Sequence, residues 1–356
     1  MSDKRKASPP PSGGVLIKRQ KPEEQPENAV AIKAKDGSII QTVKRTSGLQ
    51  APIMLLNGHQ GEVLTCKFDP TGEHIASGAF DGNIFLWNTY GDCVNYGVLK
   101  GHTGAVLEVQ WSQDSKNVYS ASADKSVGIW DVNTGVRIKR FRGHNSFVNS
   151  CAPQHKFAGS NVVVSGSDDR TVKIWDIRQK NAVDTLEQDY QVTAVTFSEA
   201  GDMVYTGSLD NKITAWDVRK KEIAYVMEGH EDTISGIRLS PDGSYLLSNA
   251  MDNTVRIWDV KPFAAANRLL KIFEGAPHGF EKNLIKPAWS PDGDRIACGS
   301  GDRTAVVWDV TTRKILYKLP GHKGCVNEVD FHPKEPILVS CSTDKSLFVG
   351  EISPSH

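Results

Sequence analysis

The sequence predicts an all-β fold: a seven-bladed β-propeller behind a disordered basic tail. Three observations predict it. An aspartate stands six residues before a tryptophan in six places, at Trp87, Trp130, Trp175, Trp216, Trp258 and Trp308, and Asp344 stands six before Gly350 in a seventh. Successive marks are 43, 45, 41, 42, 50 and 42 residues apart. Gly-His pairs recur upstream of five marks, at His59, His102, His144, His230 and His322. Between these signatures apolar and polar residues alternate with period two, the pattern of short half-buried strands. A period near forty residues built from such strands means blades arranged in a ring.

Residues 1–50 carry Pro9, Pro10 and Pro11, then Gly13 and Gly14, then a polar run from Lys21 to Asn28. A segment so poor in apolar surface cannot offset its ordering entropy, so it is expected to be disordered when alone. It holds ten Lys/Arg against five Asp/Glu, while the rest of the chain holds 32 against 37. The basic clusters Lys4, Arg5, Lys6 and Lys18, Arg19, Lys21 have the form read by nuclear import receptors. An acidic body argues against direct nucleic-acid binding, so RNA is expected to be met only indirectly.

The propeller is expected over 51–352. Blade two illustrates the repeat: strands over 106–111, 118–122, 127–130 and 137–141, separated by polar turns. The last repeat ends after a third strand, and an orphan apolar stretch, 52–56, precedes the first Gly-His. That N-terminal strand should complete blade seven, removing the free edges of a linear array.

Histidine, serine, aspartate and tryptophan recur in register. The complete sets are His59, Ser77, Asp81, Trp87; His102, Ser120, Asp124, Trp130; His144, Ser165, Asp169, Trp175; and His230, Ser248, Asp252, Trp258. A site repeated around a ring reads as architecture and not as catalysis, because buried polar groups need partners. Blade four departs with Gln188-Asp189 where Gly-His is expected, blade six with Cys298 for serine and a loosely placed His278, and blade seven with Gly350.

Residues just before the turn aspartates should crown one rim: Phe80, Ala123, Asp168, Leu209, Met251, Gly301 and Thr343, joined by Phe147. Of these Phe80, Phe147, Asp168, Leu209 and Met251 are the candidate partner face, since exposed large apolar side chains mark contact surfaces. The 50-residue spacing implies an insertion between blades five and six at 261–267, followed by an irregular loop at 276–283.

Other function classes find no support. The chain has no P-loop, zincin or nucleophile-elbow motif, so no enzyme activity, cofactor or small-molecule substrate is expected. Six cysteines without a paired spacing suggest neither a metal site nor a disulfide framework. No apolar run approaches the roughly 20 residues of a membrane helix.

The Gly-His and Trp-Asp signatures resemble those of WD40 repeats, and the resemblance implies that each tetrad forms a hydrogen-bonded chain within its blade. Stretches the generic repeat does not demand carry a narrower resemblance: 49–56, 90–93, 146–151, 243–253, 280–284 and 315–322. They resemble the WD-repeat subunits of the spliceosomal U5 small nuclear ribonucleoprotein. That resemblance implies a non-enzymatic nuclear scaffold in pre-mRNA splicing, touching the large U5 core protein and its helicase neighbour. The rival reading is a substrate receptor of a cullin-type ubiquitin ligase, resting on the WDxR boxes at Trp175–Arg178 and Trp216–Arg219.

Overall fold

In each blade the first strand is buried on both faces, while the fourth alternates between exposed and half-buried. In blade two, Val106–Trp111 is almost wholly buried, whereas Arg137–Arg142 turns only Phe141 fully inward. Strands alternate antiparallel from the axis outward: Val106–Trp111, Asn117–Ser122, Ser126–Asp131 and Arg137–Arg142. Six further four-stranded sheets repeat the order, their first strands beginning at Val63, Val148, Val192, Ile234, Pro287 and Val326. The first strands pack neighbour to neighbour around a ring. Apolar clusters fill the spaces between blades, as between blades one and two, where Ala76 and Leu86 meet Val109, Trp111 and Trp130. The computed structural model describes residues 31–33, 39–41, 45–154, 161–265 and 267–353, and among them there is no helix.

The aspartate turns share one backbone device. The residue after each aspartate is left-handed: Gly82, Lys125, Arg170, Asn211, Asn253, Arg303 and Lys345 have φ between 64° and 76°. The aspartate makes this tolerable by accepting the amide hydrogen two residues on, as Asp124 does from Ser126 at 3.1 Å.

A β-bulge follows the first residue of the inner strand in blades one to five and seven. Each bulge re-aims side chains toward the next blade. Asn149, Ser235 and Asn327 thereby donate to Val192, Ile285 and Val63 carbonyls at 2.9, 2.8 and 2.8 Å, and Thr193 donates to Ile234. Thr65, Glu108, Ser150 and Glu328 accept backbone amide hydrogens from the following blade. These bonds close blade junctions where apolar packing alone would be slippery.

Ile53–Asn57 pairs antiparallel with Ser346–Glu351 and forms the outer strand of blade seven. The tail is expected to end at residue 50, but Thr46–Gln50 already belong to the propeller unit. Thr46 donates to Glu351 Oε1 at 2.5 Å, Gly48 donates to Glu335 Oε2 at 2.7 Å, and Leu49 is buried beside a bridge to Gly91. Of the preceding unit, Ala31–Lys33 and Ile39–Gln41 pair antiparallel. The basic clusters at 4–6 and 18–21 lie outside the described residues.

Two sequence expectations shift. The insertion at 261–267 lies inside blade five, between its third strand, Thr254–Asp259, and its fourth, Leu269–Glu274. In blade four Gln188 itself occupies the histidine place, one residue earlier in register than the pair read from the sequence. It donates to Thr206 Oγ1 at 2.5 Å, across the same eighteen residues that separate His102 from Ser120.

Candidate functional site

Antiparallel order decides which loops share a rim. The turn between second and third strands, bearing the aspartate, lies at the same end as the link that enters each blade, bearing Gly-His. The tetrads join these two loops from beneath. In blade two His102 Nδ1 meets Asp124 Oδ2 at 2.8 Å, His102 Nε2 meets Ser120 Oγ at 2.7 Å, and Trp130 Nε1 donates to Ser120 Oγ at 2.8 Å. His144, Ser165, Asp169 and Trp175 repeat this at 2.9, 2.8 and 2.8 Å, and His230, Ser248, Asp252 and Trp258 at 2.9, 2.7 and 2.8 Å. In blade one the His59–Asp81 contact is longer, 3.2 Å, with Ser77 at 2.8 Å from His59 and 2.9 Å from Trp87.

The proton inventory follows. Burial pushes the His59, His144, His230 and His322 imidazoles below their ordinary value, the partner aspartate only partly opposing it. A neutral ring donates from Nδ1 to the carboxylate and accepts the serine hydroxyl at Nε2, leaving the serine oxygen to accept from the indole. Every group is matched. Ser77, Ser120, Ser165 and Ser248 are fully buried, so no substrate reaches these hydroxyls. The preceding glycine is required by close approach: at φ 150°, a Cβ on Gly101 would lie 3.1 Å from the Trp130 ring.

The departures differ in kind. Blade seven keeps a full triad that the sequence reading passed over, with His322 3.0 Å from Asp344 and 2.9 Å from Ser340, and Phe348 set edge-on to the imidazole at 4.6 Å in the absence of an indole. In blade six His278 makes no triad and pairs with Asn249 at 3.1 Å, while Trp308 donates to the Glu274 carbonyl at 2.9 Å. Blade four retains Trp216, whose Nε1 is buried and meets no acceptor among the described residues.

The candidate partner residues sit on the rim above. Phe80 is 66 % exposed, Phe147 50 % and Leu209 43 %, and Met251 is half-buried. Asp168 is drawn inward, accepting from Asn149 Nδ2 at 2.6 Å, so it orders the rim more than it presents charge. Two residues missing from the sequence reading of this face join it: Phe280, fully exposed in the link into blade six, and Tyr190, half-exposed just past Gln188. Phe280 was legible as an aromatic in an irregular loop, but its rim depends on strand direction.

The axis itself is filled. Lys67 Nζ lies 2.7 Å from Glu328 and 3.1 Å from Asp330. Arg238 of blade five reaches Gln110 of blade two at 3.1 Å, and Lys286 of blade six donates to the Leu107 carbonyl at 2.5 Å. Below this plug, at the rim opposite the aspartate turns, a cavity of about 370 Å³ opens between Trp111, Phe197, Arg238 and Phe331. Among the described residues no cluster of His, Cys, Asp or Glu could hold a metal ion, and all six cysteines are buried free thiols.

A ring of seven blades, tied by buried His-Ser-Asp chains and presenting an apolar crown on one rim, defines a WD-repeat propeller. The WD domain, G-beta repeat, family model matches residues 50–88, 93–131, 135–176, 181–217, 221–259, 283–309 and 313–349, and the chain belongs to this family. Within it the chain is 58 % identical over 320 residues to the human U5 small nuclear ribonucleoprotein 40 kDa protein, covering 90 % of this chain and 89 % of that one. It is 50 % identical to the protein of the same name from Dictyostelium discoideum, over 94 % of each chain. It is 44 % identical to the pre-mRNA-splicing factor cwf17 of Schizosaccharomyces pombe, over 99 % of this chain and 100 % of that one.

Proposed function

We propose that the chain is a non-enzymatic interaction scaffold of the U5 small nuclear ribonucleoprotein, supporting pre-mRNA splicing in the nucleus. The observation that carries the reading is likeness through the whole propeller to proteins named for that particle and for splicing, at 58 % and 44 % identity. The rim agrees with it. Phe80, Phe147, Leu209 and Phe280 offer separated apolar side chains on a rigid ring, suited to binding protein surfaces. The large U5 core protein and its helicase neighbour are the proposed partners, with RNA met through them. The basic clusters at Lys4, Arg5, Lys6 and Lys18, Arg19, Lys21 are the proposed import signal. No observation favours the ligase-receptor reading: Arg178 is held by its own Asp176, Nη2 to Oδ2 at 2.6 Å.

Affinity purification of the tagged full chain from nuclear extract tests this. U5 RNA and large core splicing proteins should co-purify, and the Phe80→Ala, Phe147→Ala, Leu209→Ala triple variant should recover less of them while remaining folded. Recovery of a cullin adaptor without small nuclear RNA would overturn it.

A further inference from the structure

Blade four lacks what blades two and five carry inside themselves. In blade two, Arg137 lies opposite Trp130 and Arg140 opposite Gly128 on the outer strand. The Arg137 guanidinium covers the Trp130 ring at 5.4 Å and donates to the Gly101 carbonyl at 2.8 Å. Arg140 donates to the turn carboxylate of Asp124 at 2.9 Å. Blade five reaches the same carboxylate position from its third strand, Arg256 Nη2 lying 3.5 Å from Asp252. In blade four the registers that hold Arg137 and Arg140 in blade two hold Ile223 and Val226, opposite Trp216 and Thr214. Among the described residues no cation pairs with Asp210, because Lys212 turns to Glu228 at 2.7 Å.

The space left is a cleft of about 240 Å³. Ile223 and Val226 form its apolar wall, Thr214 and Trp216 line it within, and Glu187, Asp189, Asp210 and Glu228 supply carboxylates around it, with Tyr190 among them. Four carboxylates against one lysine fit a cation. A second, independent observation points to a ligand. Trp216 is 6 % exposed and its Nε1 meets no acceptor, whereas the other five marker tryptophans all donate. Thr206 Oγ1, in the serine place, is taken by Gln188 instead, and blade six shows what else can accept from the indole, since Trp308 donates to a main-chain carbonyl at 2.9 Å.

We propose that the blade-four cleft is a docking site for an arginine on an extended segment of a partner protein. Its guanidinium takes the place that Arg137 and Arg140 fill in blade two, facing Asp210 and Asp189, and a neighbouring main-chain carbonyl accepts from Trp216. Arginine fits better than lysine because a planar guanidinium both stacks on an indole and bonds a carboxylate in bidentate fashion. The site is separate from the apolar crown, so either can fail alone.

The test is titration calorimetry on the full chain with a pentapeptide carrying one central arginine between glycines, and with its citrulline counterpart. The arginine peptide should bind, and citrulline, which keeps the shape and loses the charge, should bind at least about tenfold more weakly, as loss of one charge-assisted pair requires. Ile223→Arg, which writes blade two's own solution into blade four, should abolish binding while leaving Tm equal or higher. Asp210→Asn should weaken binding by about tenfold. No binding of the arginine peptide at millimolar concentration, equal binding of citrulline, or undiminished binding to a folded Ile223→Arg variant would each overturn the proposal.

Discussion

Trp130 is 1 % exposed and donates to Ser120, while Asp210 is half-buried and has no histidine to hold. Truncating a buried tryptophan leaves a cavity and removes one donor from Ser120, so Trp130→Ala should cost roughly 3–5 kcal/mol. Asp210→Asn should cost far less, and equal urea midpoints for the two variants would contradict the reading of blade four. Protonation acts at the same scale. A buried imidazole held below the ordinary 6.5 is protonated more readily in the unfolded chain. Stability from these histidines is therefore full above about pH 6.5 and is lost as pH falls toward their lowered native values. The carboxylates of Asp81, Asp169 and Asp344 are held below the usual range, burial opposing and amide and side-chain hydrogen bonds prevailing. Their share is present above about pH 3.8 and lost below it, with the same sign. Calorimetric Tm should fall between pH 7 and 5 and fall further below 4, and a flat profile over the first interval would remove the buried-histidine account.

At the scale of the element, the outer strand of blade seven comes from the other end of the sequence. Ile53–Asn57 covers the edge of Ser346–Glu351, and Thr46 and Gly48 add bonds to Glu351 and Glu335. Deleting residues 1–44 should leave Tm unchanged, since none of these bonds is touched. Deleting residues 1–57 should lower Tm and cause aggregation on heating, because it bares a strand edge. Comparable melting of both deletions would show that the closure carries no stability. The blade strands themselves were legible: alternation placed 106–111 and located the next two strands of blade two within a residue or so of their ends. The register of Gln188 was missed because glutamine does not match the Gly-His signature, although it stands eighteen residues before Thr206 as His102 stands before Ser120, and its bond to Thr206 fixes the place.

Across the whole molecule, charged side chains tie distant blades at the axis. Burial and Arg238 press the Lys67 ammonium down, but Asp330 and Glu328 outweigh them and its pKa is raised. Glu328, although fully buried, stays below its ordinary value beside Lys67, Lys286 and Arg238. Removing one partner of such a pair strands the other, so Lys67→Met should destabilise by about 3–5 kcal/mol. Adding Glu328→Gln should recover part of that loss, and a double variant as unstable as the sum of the singles would show that the two are not coupled.

Fold class, blade number and the tetrads of blades one, two, three and five were determined by the sequence alone, because each rests on local spacing that every repeat must satisfy. Alternation within each strand marks its buried face, the aspartate and glycine mark the turns, and serine and histidine return at fixed offsets. The tertiary structure alone decided the bulge-borne bonds between blades, the axial plug and the open cleft of blade four. Each depends on residues far apart in the chain, or on an absence visible only beside a filled neighbour, such as Ile223 where blade two has Arg137. Spacing along a chain records what one blade needs for itself, and ring closure records what the blades need from one another.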